Sequence, residues 1–234
     1  MTPPRWILLI ICALLPTVSW HLGGASLWYS AVLGFGVAAA LAAWALAQDD
    51  QLGAALSPRA GDASLGIVPA VALYGLMYAV VTQVIAPLPL LRVCTADGPL
   101  VPRGGLHGLA AVAEWLRVRS CLAVGHVGAI QGTARVGLVI AVAALEELAW
   151  RGGVQQGLSE RFGSTRGWLI ASALYALVHV GTLNAATVLV AFPCALLWGA
   201  LYRFRGRLAP ALLSHIVFSW ALFVPNRASL FIAP

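Results

Sequence analysis

The chain has 234 residues, of which 61% are hydrophobic and only 9% are charged, whereas a soluble domain carries about 25% charged residues. This composition excludes an ordinary soluble domain and predicts an integral membrane protein. The formal net charge is +6, and every basic residue is Arg, scattered between apolar runs without forming one basic stripe. We therefore expect no nucleic-acid partner and interpret the arginines as determinants of membrane orientation.

Seven segments are apolar over about the length that a membrane-spanning helix needs, roughly 20 residues. They cover about residues 6–22, 25–47, 65–91, 136–157, 167–183, 185–202 and 209–225. The sequence therefore predicts an all-α polytopic membrane helical bundle with about seven transmembrane helices. The first segment lacks a clear small-x-small cleavage site, which favours an uncleaved anchor over a signal peptide.

The long connection between the third and fourth segments is less clear. Residues 107–130 carry three charged side chains near one helical face, which predicts an interfacial helix. Cys94 and Cys121 lie in the same connection, and they can form a disulfide only if the loop faces an oxidising compartment. We predict one integral membrane domain in two parts, with N-terminal helices and the long loop in residues 1–135 and a helical core in residues 136–225.

Short-loop arginines normally stay on the cytoplasmic side of a membrane. Arg161 and Arg166 lie in one short loop, and three further arginines lie in the loop at residues 203–207. Because two predicted spans separate these loops, both can be cytoplasmic. Seven spans then place the N-terminus inside and the C-terminus outside, although the arginines of the long connection oppose this orientation.

The stretch ALEELAWRGG places Glu146, Glu147 and Arg151 inside a predicted span, and no other formally charged residue lies in one. Two histidines, His179 and His215, lie in later spans. A charged group near the bilayer centre costs on the order of 2.5–3.5 kcal/mol even on lenient insertion scales. Such a cluster therefore needs partners, a function or both.

Helical geometry separates the two glutamates. Side chains four residues apart project about 40° from each other on an α-helix, whereas neighbours diverge by about 100°. Glu147 and Arg151 are thus placed for an i, i+4 ion pair, for which we favour a bracing role. Glu146 has no partner on its own helix and, in a poorly hydrated cavity, suits a general base acting on water.

Two later segments offer polar partners for Glu146. Tyr175 and His179 share a helical face in LYALVHVG, and His215 and Ser219 do the same in LLSHIVFSW. A Glu and two His that converge from three helices can activate a water and stabilise an oxyanion on a carbonyl substrate. Either histidine alone also has a structural interpretation, as a hydrogen-bonded packing residue.

These residues match the motifs of a known family. EELAWRGG resembles the EExxxR motif of the CPBP family of intramembrane proteases, which is related to the CAAX prenyl endopeptidases and is also called the Abi family. YALVH resembles its FxxxH motif with Tyr175 in place of Phe, and LLWGALYRFRGRLAPALLSHIVFS resembles the stretch that ends in its HxxxN motif. The match covers about residues 136–222, and all three motifs occur in order.

The resemblance implies a glutamate-dependent endopeptidase that cleaves a membrane-anchored protein or peptide within the lipid bilayer, with no cofactor and no metal. Glu146 would activate the attacking water, while His179 and His215 would assist it and stabilise the tetrahedral intermediate. Glu147 and Arg151 would brace this site. A bacterial inner (plasma) membrane is the expected location.

A second motif position also differs from the family pattern. The family has Asn four residues after the final His, where this chain has Ser219. Asn offers two amide donors, whereas Ser offers a single hydroxyl. If the Asn donates to the oxyanion, loss of that donor raises the barrier by about 2.7–4 kcal/mol.

Three other functions remain open from the sequence. A non-catalytic membrane scaffold or bacteriocin-immunity-type protein would keep the constellation for structural reasons, and Ser219 and Tyr175 favour it. A zinc-dependent protease would use the Glu and the two His as ligands, although the sequence has no HExxH motif. A proton-coupled transporter would also bury Glu and His in its spans.

Overall fold

The computed structural model describes residues 11, 24–80, 82–83, 107–108, 111, 132–182 and 185–224. Over these ranges the secondary structure is helical, with no strand. The predicted span at 6–22 and the predicted interfacial helix at 107–130 lie almost entirely outside the described residues, and Cys94 and Cys121 lie outside them as well.

Helices follow one another through most of the described chain. They are α1 (Gly24–Gln48), α2 (Leu52–Leu56), α3 (Asp62–Val80), α4 (Gly132–Glu147), α5 (Gln156–Phe162), α6 (Ser164–Val178), α7 (Ala185–Arg205) and α8 (Leu208–Phe223). A π-helical segment, Leu148–Gln155, joins α4 to α5, and a 3₁₀ turn, His179–Thr182, follows α6.

Three of these helices are long and apolar enough to cross a membrane. The qualifying segments are Tyr29–Gln48 in α1, Asp62–Val80 in α3 and Thr187–Arg205 in α7. Residues Ala209–Phe223 of α8 form a shorter apolar helix. Large apolar side chains such as Leu33, Val68 and Phe204 are exposed, as expected where a helix faces lipid rather than water. The all-α membrane bundle is thus confirmed, while the total of seven spans stays a prediction.

Two predicted spans differ in detail from the observed helices. The predicted span 136–157 lies within an unbroken helical stretch over 132–162, but its second half is π-helical rather than α-helical. The predicted span 167–183 ends earlier, because α6 stops at Val178 and the chain tightens into the 3₁₀ turn. His179 therefore lies at the end of its helix and not deep inside a span.

Small residues allow the helices to approach closely, which is the usual way in which membrane helices associate. A Cβ placed on Gly66 of α3 would lie 2.8 Å from both Leu213 Cβ and the Pro210 carbonyl oxygen of α8. On α1, Ala38 and Ala42 are completely buried, and this helix packs against the π-helical segment. Helices α1 and α3 thus pack against α4 and α8, which carry Glu146, Glu147 and His215.

A buried carboxylate ties the start of α3 to the end of α7. Asp62 is 1% exposed. Its Oδ1 accepts hydrogen bonds from Arg205 Nε and Nη2, at 3.1 and 2.9 Å. Its Oδ2 accepts from the Arg59 backbone N–H at 2.8 Å. The charge of Asp62 is therefore satisfied by the nearby backbone of Arg59 and by the side chain of Arg205, which is distant in sequence.

Candidate active site

The two adjacent glutamates lie at the centre of the helical stretch over residues 132–162. Glu147 is the last residue of α4, halfway between Gly132 and Phe162. The Glu147 side chain is only 1% exposed, whereas that of Glu146 is 12% exposed. Glu147 is sealed inside the bundle, and Glu146 can be reached from outside it.

Glu147 has two partners on opposite sides. Arg151 Nε lies 3.3 Å from Glu147 Oε2, so the predicted i, i+4 ion pair is present, although the two atoms are not aligned as a hydrogen bond. His215 Nδ1 lies 2.8 Å from Glu147 Oε1. A carboxylate beside Nδ1 favours a proton on that nitrogen, which orients the ring and turns Nε2 away from Glu147. Sequence spacing did not predict this second contact.

Glu146 faces a different set of groups. The Tyr175 hydroxyl donates a hydrogen bond to Glu146 Oε2 at 3.0 Å. His215 Nε2 lies 3.6 Å from the same oxygen, which is long for a hydrogen bond. One imidazole therefore bridges the two glutamates, with Nδ1 toward Glu147 and Nε2 toward Glu146.

His179 lies at the first position of the 3₁₀ turn, where it is half-buried. Its Nδ1 donates to the Tyr175 backbone carbonyl at 2.8 Å, because a carbonyl oxygen can only accept. His179 also interacts electrostatically with Glu146 and His215, so both predicted histidines belong to the same cluster.

Trp198 of α7 was not singled out by the sequence. Its ring is 3% exposed and stacks on His215, with the centroids 3.7 Å apart and 15° between the planes. The Arg151 guanidinium lies 5.6 Å from the same indole, within range of a cation–π interaction. Trp198 fixes the plane of the bridging histidine, and a Trp inside an apolar run carries no local signal of this role.

Two polar side chains of the π-helical segment anchor it to α7. Arg151 Nη2 donates to the Ala195 carbonyl at 3.4 Å, and Gln155 Nε2 donates to the Gly199 carbonyl at 2.9 Å. Gly199 has no space for a larger residue, because a Cβ there would lie 2.6 Å from the Trp168 ring. π-Helical turns are frequent at functional sites, and here one carries the residues that hold α7 against the glutamates.

Ser219, the departure from the HxxxN pattern, lies one helical turn after His215 on α8 and is 7% exposed. It is thus buried on the helix that supplies the bridging histidine. The role of Ser219 stays a prediction.

Within residues 24–80, 132–182 and 185–224, no group of three or more His, Cys, Asp or Glu side chains is arranged to hold a metal ion. Glu147 already contacts both Arg151 and His215 Nδ1. The contacts of Glu147 are those of a charge-balanced hydrogen-bonded group.

The site combines an accessible carboxylate with two imidazoles and a tyrosine hydroxyl, inside a helical membrane bundle. A carboxylate with imidazole and hydroxyl neighbours can take part in acid–base chemistry. Residues 131–221 match the family model described as type II CAAX prenyl endopeptidase Rce1-like. This match supports the CAAX protease family and confirms the resemblance seen in the motifs. Comparisons with curated proteins and with solved structures found no match.

The matched region contains all the site residues described above. The match over residues 131–221 supports an integral membrane protein of the CAAX protease type. It also implies a membrane-associated peptide substrate and a lipid environment.

Proposed function

We propose that the protein is an intramembrane endopeptidase in which Glu146 activates the water that attacks the scissile peptide bond. The observation that carries this proposal is the difference between the two neighbouring glutamates. Glu147 is sealed at 1% exposure between Arg151 and His215, while Glu146 is 12% exposed and faces His215 Nε2. Of these two glutamates, only Glu146 combines access for water with neighbouring imidazoles.

In the proposed reaction, Glu146 takes a proton from water as the water oxygen bonds to the peptide carbonyl carbon. The carbonyl oxygen becomes an oxyanion, which His215 and His179 stabilise by donating hydrogen bonds or positive charge. The C–N bond then breaks, and the proton held by Glu146 passes to the leaving amine. The products are a carboxylic acid and an amine, so Glu146 ends the cycle ionised.

Glu147 and Arg151 support this chemistry without touching the substrate. The Glu147 carboxylate accepts from His215 Nδ1 at 2.8 Å, which keeps Nε2 directed at Glu146 and the reacting atoms. Arg151 balances the charge of Glu147 at 3.3 Å. A buried charge without such a partner would be strongly unfavourable.

We propose a membrane-anchored protein or peptide as the substrate and a bacterial plasma membrane as the location. The matched family model describes prenyl endopeptidases. Suitable first probes are therefore fluorogenic peptides that end in a CAAX sequence, with and without an S-farnesyl group. Comparing the two probes measures whether the prenyl group is recognised.

The proposal is tested with the purified full-length protein in liposomes. We expect E146Q and E146A to lower kcat/KM by about 10²–10⁴, the usual contribution of a general base. Glu160 on α5 is exposed, so E160Q is the matched control and should keep full activity. Cleavage by E146Q at the normal rate would rule out the proposed mechanism.

The other functions predict different results, either in this preparation or in cells. Loss of cleavage after chelation, restored by zinc, would support a metalloprotease. A cellular phenotype that survives both E146Q and H179A would support a scaffold or immunity protein. Proton flux across the liposome membrane without cleavage of either peptide would support a transporter. We expect none of these results, and we expect uncleaved membrane proteins to accumulate in cells that carry E146A.

A further inference from the structure

The tyrosine of the second motif carries a hydroxyl at a position where the family pattern has Phe. This hydroxyl is a polar group in direct contact with the proposed general base, since Tyr175 donates to Glu146 Oε2 at 3.0 Å. A Phe at position 175 would fill nearly the same space and would leave Glu146 without this donor. Tyr in place of Phe at position 175 therefore changes the chemistry next to Glu146 more than it changes the packing.

Aromatic neighbours hold the Tyr175 ring in place. Trp150 and Trp198 meet it edge to face, at centroid distances of 5.3 and 6.1 Å. The Arg151 guanidinium lies 5.1 Å from the ring centroid. Tyr175 is only 4% exposed. Its hydroxyl is thus directed at Glu146 by packing that is already present before any substrate binds.

The polar contacts of Glu146 are unequal between its two oxygens. Within the described part of the chain, both the Tyr175 hydroxyl and His215 Nε2 approach Oε2. A carboxylate oxygen that accepts a hydrogen bond is less available to take another proton, and the bond restricts the rotation of the carboxylate group. Among the described residues, the charged and titratable groups of this cluster include Tyr175, His179, His215, Glu147 and Arg151.

We propose that Tyr175 is a positioning residue for Glu146: its hydroxyl holds Oε2 and leaves Oε1 as the atom that removes the proton from water. This inference rests on the proposed function of Glu146 as the general base. Tyr175 does not take part in proton transfer itself. Its effect is on the rate of the chemical step, because it orients the carboxylate and does not contact the substrate.

The direct test is Y175F, which removes one oxygen atom and keeps the ring. We expect kcat on the CAAX peptides to fall about tenfold or more, as expected for loss of a hydrogen bond to a charged group, with KM within about twofold of the wild-type value. The matched control is Y202F, because Tyr202 is also buried and its hydroxyl bonds to Gln156. Y202F should leave kcat unchanged.

Comparison with E146Q separates this inference from the function on which it rests. An inactive E146Q together with a fully active Y175F would overturn the role of Tyr175 and leave the proposed function intact. A fully active E146Q would overturn the proposed function. A Y175F variant that raises KM and leaves kcat unchanged would also overturn the positioning role, because it would place Tyr175 in substrate binding.

An infrared measurement tests the contact without requiring turnover. The carboxylate band of Glu146 is isolated as the difference spectrum of the wild type minus E146Q, and the same difference is recorded in the Y175F background. We expect the asymmetric stretch to move between the two backgrounds, because the carboxylate loses a donor. An unchanged band would show that Tyr175 does not hold Glu146 and would overturn the inference even if neither peptide is cleaved.

Discussion

At the scale of single residues, adjacent glutamates on one helix have opposite environments. Glu147 is buried between Arg151 and His215, and its charge is compensated inside the protein. Glu146 is partly accessible, and no arginine pairs with it in the described structure; its closest polar partners are a neutral hydroxyl and an imidazole. Glu147 is therefore expected to contribute mainly to stability, and Glu146 mainly to activity.

This division predicts different effects of the same substitution. E147Q should lower the free energy of unfolding by about 3–5 kcal/mol, because it leaves the Arg151 charge buried without a counter-ion. E146Q should change it by less than about 1 kcal/mol. Reversible unfolding of the purified protein in mixed detergent micelles measures both values. Equal destabilisation by the two variants would contradict this difference.

At the scale of helices, α8 brings His215 to the glutamates because α3 approaches it closely. At Gly66, neither the Leu213 side chain nor the Pro210 carbonyl leaves space for a methyl group. The Pro210 contact involves backbone, which cannot rotate away as a flexible side chain does. A larger residue at position 66 must therefore displace one helix relative to the other.

We expect G66A to lower the free energy of unfolding by about 1–3 kcal/mol, the usual cost of overpacking, and to reduce peptide cleavage because His215 moves with α8. Gly75 lies on the same helix, and a Cβ there would meet nothing within 4 Å. G75A is therefore the matched control. It should be neutral or stabilising by up to about 1 kcal/mol, since Ala favours helix more than Gly does. Equal effects of the two variants would exclude a close-contact role for Gly66.

At the scale of the whole molecule, the N-terminal helices and the family-matched region form contacts throughout the described structure. Helix α1 packs on the π-helical segment, and α3 packs on α8. The Asp62–Arg205 pair adds a polar link at one end, with the Asp62 side chain 2% exposed and that of Arg205 32% exposed. The helices outside the matched region thus help to hold the site together.

The polar link gives a test at this scale. D62N should lower the free energy of unfolding by about 1.5–3 kcal/mol, because it weakens hydrogen bonds from a charged guanidinium to a buried acceptor. Asp49 follows α1 and is exposed, so D49N serves as the control and should change stability by less than about 0.5 kcal/mol. Both are measured by unfolding in the same micelles. A D62N variant as stable as the wild type would mean that this pair contributes nothing to joining α3 and α7.

By itself, the sequence determined the properties that depend on composition and on short spacing. Its apolar runs gave the all-helical membrane class, and the four-residue interval from Glu147 to Arg151 was enough to predict their ion pair. The three motifs in order were enough to identify the family, because they are read directly along the chain. The span at 6–22 and the roles assigned to Ser219 and the two histidines stay predictions.

Only the tertiary structure decided which groups meet across helices. The His215 bridge between the glutamates joins residues 68 positions apart, and the Tyr175 contact with Glu146 joins residues 29 apart. Helical periodicity gives the direction of a side chain on its own helix, but it does not give the crossing of two helices or their relative rotation. These depend on close contacts such as that at Gly66, on the ring of Trp198 and on the change to π-helical geometry at Leu148, none of which a local pattern encodes.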